Sequence, residues 1–313
     1  MLAPSTPEEL ADIGVELEQA ACALCGSSAS TPVIVGRDRT CGVPGRFQVV
    51  RCDECGLLRT DPRPTRNSIG RYYPPHYVAY HEEVVRRVGS GWFDRRVKAM
   101  PPVAPPGRLL EIGTSVGTFL DERKRDGWDV TGVEFDEHAA ARAAERTGAP
   151  IHVGSIETVS FPPRSFDVIC AWQVVEHLHD PVSSLRRCFE WLVPGGWLAI
   201  AVPDVGAPGF RVFQDSWFAL EVPRHLYHFS AQTCRAMFES CGFSAIRLVR
   251  PRTIYTTLLS ITNVLEDRGV VARGNGRAMA NSLPARVLNL GAGYVAAWMG
   301  LTDTFTMLGR KPR

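Results

Sequence analysis

Two cysteine pairs of identical spacing, Cys22-Ala-Leu-Cys25 and Cys52-Asp-Glu-Cys55, each followed by glycine, are the densest chemistry in the chain. Two such knuckles can present four thiolates tetrahedrally, the ligand set of Zn2+, and four protein ligands leave no position for a reacting water. Cys22, Cys25, Cys52 and Cys55 therefore imply a structural zinc ion. A disulfide framework suits short secreted chains, whereas this one has 313 residues. Cys41, Cys170, Cys188, Cys234 and Cys241 follow no ligand spacing and read as small core residues or unpaired thiols.

A second group can hold a ligand. Gly113-Thr-Ser115-Val-Gly117 follows the apolar run Leu109 to Ile112 and precedes a helical pattern, and glycine at such a turn lets backbone approach a ligand closely. The spacing is G-x-x-x-G, not the G-x-G-x-x-G that seats a pyrophosphate on a helix start. Glu134 ends the next apolar run, where a carboxylate can accept both hydroxyls of a ribose. A ribose-bearing cofactor without a pyrophosphate fits this pattern, and a purely structural turn is the competing reading.

A third group is the loop Glu221-Val-Pro-Arg224-His225-Leu-Tyr-His228. Histidine suits proton transfer because its pKa lies near neutrality. His225 is the candidate general base, Arg224 the candidate holder of a polar or anionic acceptor group, and His228 a further candidate. The alternative for such histidines is helix capping or satisfaction of buried carbonyls.

These groups need a scaffold, and the sequence predicts one. From Gly107 onward, strand-like runs (Arg108 to Ile112, Val130 to Glu134, Ile151 to Val153, Phe166 to Ala171, Trp197 to Val202, Ala245 to Val249, Thr304 to Leu308) alternate with helical stretches near Thr118 to Arg125, Glu137 to Arg146, Pro181 to Trp191 and Ala231 to Ser240. Alternation of this kind folds as a doubly wound α/β sheet with helices on both faces. The cysteine-rich start reads as a small β module. The expected order is an extension over residues 1–20, the zinc-binding module over 21–70, and an aromatic and helical connector over 71–106 with a helix near Trp92 to Met100. A sheet domain over 107–313 follows, with a helical insertion at 256–300. The insertion is expected to cover the sheet or, failing that, to make a peripheral membrane or dimer contact.

Balanced charge, 35 Lys+Arg against 33 Asp+Glu, gives no electrostatic footprint for a polyanion, so nucleic acid is not the expected partner. The acidic start, Met1 to Ala20, lacks the pattern of a secretory signal, and the expected location is the cytoplasm.

Beyond the glycine turn and Glu134, the segments Ser165-Phe-Asp-Val-Ile169, Val174-Val-Glu-His177-Leu-His-Asp-Pro181 and Pro194-Gly-Gly-Trp-Leu198 follow in order. Together these resemble the class I S-adenosylmethionine-dependent methyltransferases, whose fold is a Rossmann-like seven-stranded sheet. The resemblance implies that Glu111, Gly113 and Gly117 flank the methionine portion of the cofactor and that Glu134 binds its ribose. It implies further that Phe135 packs on the adenine, that Ser155, Ile156 and Glu157 meet the adenine edge, and that Gln173 lies under the methionine. His177 would support the same pocket, and Ser115 stands where glycine is commoner. The histidine loop, with Leu57 to Pro64 and Tyr72-Tyr73, is similar to a zinc-ribbon-bearing methyltransferase group, which implies a small-molecule acceptor and makes Tyr72, Tyr73 and Tyr77 candidates to close over it. The expected function is methyl transfer to oxygen or carbon of a small metabolite, a sugar or natural-product intermediate. The rivals are an RNA methyltransferase using the zinc module to hold nucleic acid, and a non-catalytic cofactor-binding or scaffold protein.

Overall fold

The computed structural model describes residues 3–74, 77, 95–272 and 274–313. The first turn of the helix expected near Trp92 to Met100, and Pro75 and His76 of the aromatic connector, lie outside the described residues; Arg95–Lys98 is helical. The strands are β1 (Leu17–Glu18), β2 (Ser30–Arg37), β3 (Arg46–Cys52), β4 (Leu58–Thr60), β5 (Arg63–Pro64), β6 (Arg108–Ile112) and β7 (Asp129–Glu134). They continue with β8 (Ile151–Val153), β9 (Phe166–Trp172), β10 (Leu192–Pro203), β11 (Tyr227–His228), β12 (Ser244–Val249) and β13 (Thr304–Arg310).

The chain divides into two compact units that do not follow its linear order. One gathers residues 75–202, 234–249 and 306–313. Its sheet runs β12-β13-β10-β9-β6-β7-β8, with β6 to β10 parallel and β12 antiparallel to β13. β6 and β9 are near-continuous apolar runs, as strands covered on both faces must be. Leu109, Phe119, Leu120, Val168, Cys170 and Ala199 form a core there, and truncating Phe119 to alanine would cost about 3–5 kcal/mol. Helix ends are set locally. Asp136 and Asp180 accept the amides of Ala139 and Ser183 as N-caps, and Gly148 closes the helix Glu137–Thr147 in a left-handed conformation. The strand predicted over Trp197 to Val202 begins earlier, at Leu192, because the Pro194-Gly-Gly196 turn is carried as a break in register against β9.

The other unit gathers residues 1–74, 203–233 and 250–305. Its four-stranded antiparallel sheet runs β11-β4-β3-β2, so the loop bearing His228 supplies an edge strand to the cysteine module, Tyr227 opposite Arg59 and His228 opposite Leu58. Leu10, Phe47, Val49 and Tyr72 share a core with Trp217, Leu220 and Val222. The boundaries expected at 21–70 and 107–313 are therefore corrected: apolar residues from 217–222 are buried with the N-terminal strands. The insertion at 256–300 also groups with this unit, not with the parallel sheet, and its described residues include the helices Tyr255–Asp267, Gly276–Ala280 and Leu283–Trp298. Asp267 ties the first of them to Arg37 at 2.8 Å and Arg39 at 2.9 Å. No described helix is long and apolar enough to cross a membrane.

Candidate active site

In the parallel sheet, β6 lies between β7 and β9, so the chain's winding reverses beside β6. A crevice opens at the carboxyl ends of strands at such a switch point, and ligands bind there in open α/β sheets. Gly113, at the end of β6, has φ +75, and a Cβ there would stand 2.5 Å from Val174 Cγ2, so both conformation and space require glycine. Ser115 also lies in the left-handed region, at φ +48. A side chain there costs about 1–2 kcal/mol relative to ordinary backbone. Its amide donates to Glu134 Oε2 at 2.7 Å, and the amide of Asp136 donates to Oε1 at 3.0 Å. Gly117 precedes the helix Thr118–Arg125 as its cap.

The carboxylate of Glu134 is thus clamped at the end of β7 by backbone alone. Burial pushes its pKa up, while the amides of Asp136, Ser115 and Phe135 pull it down, and the net shift is upward. Phe135 is 70% exposed beside it, an aromatic face presented without cover. Ser155 and Ile156 follow β8: the Ser155 hydroxyl accepts the Glu157 amide at 3.1 Å, and Ile156 is buried. Glu157, expected at an adenine edge, has Oε1 engaged by the Asp180 amide at 2.8 Å, a tie between two edge loops that the sequence did not signal. Gln173 follows β9 at φ +56 with its side chain exposed, and His177 closes the short helical turn Val175–His177. Glu111 is buried on β6, 3.9 Å from Arg96. All the expected cofactor residues therefore lie on this one unit, at or near strand ends.

The histidine loop lies in the other unit. Arg224 is 0% exposed and its guanidinium is engaged internally: with Asp38 Oδ1 at 2.6 Å, Glu221 Oε1 at 2.9 Å and the Tyr72 carbonyl at 2.8 Å. Its expected role as acceptor holder gives way to that of a buried anchor. Asp38 is the residue sequence reasoning missed. Its two carboxylate oxygens also accept the amides of Thr40, Cys41 and Val43, so one side chain organises a loop and binds the arginine.

His225 Nδ1 donates to the Ala219 carbonyl at 2.9 Å, which makes Nε2 the basic nitrogen of the neutral ring, 3.7 Å from Glu221 Oε2. The Thr60 hydroxyl donates to the His225 carbonyl at 2.8 Å and so accepts from His228 Nε2 at 3.3 Å. Burial depresses the pKa of His228 to about 3. A histidine neutral throughout the working range, with its N–H on a buried threonine, is a structural residue, and the candidacy of His228 as a catalyst is withdrawn on that ground. Tyr72 is likewise core: its ring packs edge-on to Phe47 and its hydroxyl donates to the Pro44 carbonyl, so it closes over nothing.

The four cysteines of the knuckles converge. Cys22 and Cys55 have sulfurs 3.4 Å apart, Cys25 and Cys52 likewise, and all four lie within 4.8 Å of one another. Each knuckle closes with a glycine amide on the carbonyl of its first cysteine, Gly26 on Cys22 and Gly56 on Cys52, both glycines at φ +77. Burial opposes ionisation of Cys52, yet hydrogen bonds from the Cys55 and Glu54 amides and the Cys25 thiol bring its pKa down to about 7. Burial pushes Cys55 upward.

The family model described as a methyltransferase domain matches residues 84–248, just over half of the chain. Among curated relatives, the ubiquinone biosynthesis O-methyltransferase of Ruegeria pomeroyi is 32% identical over 133 residues, which is 41% of this chain and 53% of that protein. Its counterpart in Cereibacter sphaeroides is 29% identical over 172 residues, 52% of this chain and 69% of that protein. The chain spans about half, or less, of the length of most of the curated relatives it matches. Phosphoethanolamine N-methyltransferase 2 of Haemonchus contortus, solved with S-adenosylmethionine, shares the fold at TM-score 0.53 and 20% identity, over 82% of this chain and 63% of that one. An S-adenosylmethionine-dependent methyltransferase of Thermotoga maritima does so at TM-score 0.50 and 19% identity, over 73% and 92%. With its parallel sheet, glycine turn and strand-end glutamate, the chain belongs to the methyltransferase-domain family.

Proposed function

We propose that the protein transfers a methyl group from S-adenosylmethionine to an oxygen or carbon of a small metabolite, a sugar or natural-product intermediate. The observation that carries this is the clamped Glu134 with Phe135 bare beside it. A carboxylate whose oxygens are oriented by two backbone amides fits the ribose hydroxyls, and an exposed aromatic face fits the adenine. The bound cofactor would supply an electrophilic methyl on sulfur. What this chain supplies is binding, orientation and proton removal. The oxygen acceptor is favoured by the curated relatives, named as O-methyltransferases.

His225 is the proposed base. Its Nδ1–H is fixed on a carbonyl, its Nε2 is the basic nitrogen, and Glu221 stands where it stabilises the protonated ring. In the chain it follows β10, in the connection that leads to the helix Ala231–Ser240. Zn2+ would be held by Cys22, Cys25, Cys52 and Cys55, four sulfurs close enough to share one ion, and would act as a staple without a chemical role.

Calorimetric titration with S-adenosylmethionine and S-adenosylhomocysteine tests the cofactor reading. Micromolar binding is expected, weakened by about 2 kcal/mol in Glu134→Gln, the value of hydrogen bonds to a charged acceptor. Folded protein that binds neither ligand would leave a scaffold role as the better account. The raised pKa of Glu134 adds a sign: affinity is retained at neutral pH and falls on acidification sooner than an ordinary glutamate would dictate. With an acceptor in hand, His225→Ala should lower kcat at least a hundredfold with little change in cofactor affinity; near-normal turnover would remove it as base.

A further inference from the structure

The helix Leu283–Trp298 is inside out. Its small and polar positions face the protein: Gly293 packs on the backbone of Arg252 and Thr253, Ala296 is buried, and Asn289 accepts from the Thr253 hydroxyl at 2.9 Å and the Ile254 amide at 2.7 Å. Its bulky apolar positions face outward. Leu283 is 74% exposed, Val287 62%, Tyr294 58% and Trp298 85%, residues that fall within one 60° sector at helical spacing, with Leu288 and Val295 widening the stripe. Scattered exposed hydrophobics are ordinary, but a contiguous stripe ending in an almost bare tryptophan marks a surface made for an apolar medium.

Charge identifies that medium. The helix itself carries one charged residue, the exposed Arg286, and from Arg268 to Leu301 the sequence has no acidic residue or lysine. Arg252 adds a cation at the stripe's edge, its guanidinium 4.5 Å from the centre of the Tyr294 ring. Two copies meeting symmetrically along this face would set arginines against arginines, whereas an anionic lipid surface pairs with them. At 16 residues the helix is about 24 Å long, short of the roughly 30 Å hydrocarbon core, so it lies on a bilayer and does not cross it. Tyrosine and tryptophan on the stripe suit the headgroup boundary, where an apolar ring with a polar tip is favoured. We propose that this face is a peripheral membrane-binding surface selective for anionic bilayers.

The test is co-sedimentation of the full chain with phosphatidylcholine vesicles, with and without phosphatidylglycerol. Binding is expected to the anionic vesicles, at least about tenfold tighter than to neutral ones and weakened by salt. It should be lost in the double variant Val287→Asp with Trp298→Asp and kept in Val212→Asp, a substitution at an exposed apolar residue elsewhere on the same unit. Circular dichroism of each variant verifies folding, and the salt and lipid dependence of the unaltered chain stands apart from any variant. Failure of the unaltered chain to bind either vesicle overturns the proposal. So does retained binding by the folded double variant, or concentration-dependent dimerisation in place of vesicle binding that the double variant abolishes.

Discussion

The turn at Gly113–Gly117 and the loop at Glu221–His228 both read as functional in the sequence, yet they are built in opposite ways. The first holds its side chains ready by means of backbone: left-handed glycines, two amides on Glu134, and Phe135 bare. The second spends its side chains on its own structure, with Arg224 and His228 fully occupied by Asp38, Glu221, Tyr72 and Thr60. A site that keeps its chemistry in the backbone leaves side chains for a ligand. A site that keeps it in side chains holds those side chains for its own fold.

This contrast can be broken or sharpened by experiment. The largest effect is expected from metal removal. Structural Zn2+ in cysteine sites contributes on the order of 10 kcal/mol, so a chelator should unfold the histidine-loop unit while leaving cofactor binding by the parallel-sheet unit measurable. A single unaltered melting transition after chelation would count against the zinc reading. Next, Asp38→Asn breaks a fully buried ion pair and should cost about 3–5 kcal/mol in chemical denaturation, because Arg224 is left charged without its main partner. Should that variant be as stable as the parent, the loop is not anchored as described.

A smaller effect follows from His228. Its folded pKa, about 3, lies below the ordinary 6.5, so the folded state takes up fewer protons than the unfolded one between those values. Its contribution is fully present above pH 6.5 and is lost progressively as pH falls through that window. Thermal midpoints measured down this range should drop less steeply in His228→Gln. The smallest effect belongs to the backbone-built site: Ser115→Gly relieves a left-handed side chain and should stabilise by up to about 1 kcal/mol without loss of cofactor affinity.

Much of the parallel-sheet unit was legible because its signals are local. Strand and helix limits such as Arg108–Ile112 and Pro181–Trp191 coincide with apolar runs, N-capping aspartates and glycine breaks a few residues away. The cysteine knuckles were legible for the same reason. What escaped was long-range. Asp38 and Arg224 stand 186 residues apart, and β11 is two residues long, so no window of sequence contains both a group and its partner. The helix Leu283–Trp298 is a different case: an apolar pattern states that a face avoids water, and says nothing of whether protein or lipid takes its place.

The discontinuity of the cysteine-bearing unit has a consequence for its birth on the ribosome. All four cysteines have been synthesised by residue 55, but the core that receives Phe47 and Leu10 is completed only by Trp217, Leu220 and Val222. At typical elongation rates the gap is roughly ten to thirty seconds. During that interval the nascent segment has its cysteine knuckles and lacks its hydrophobic partners, so any capture of the proposed ion would precede burial, and a shortage of it would be felt first by the unfinished chain.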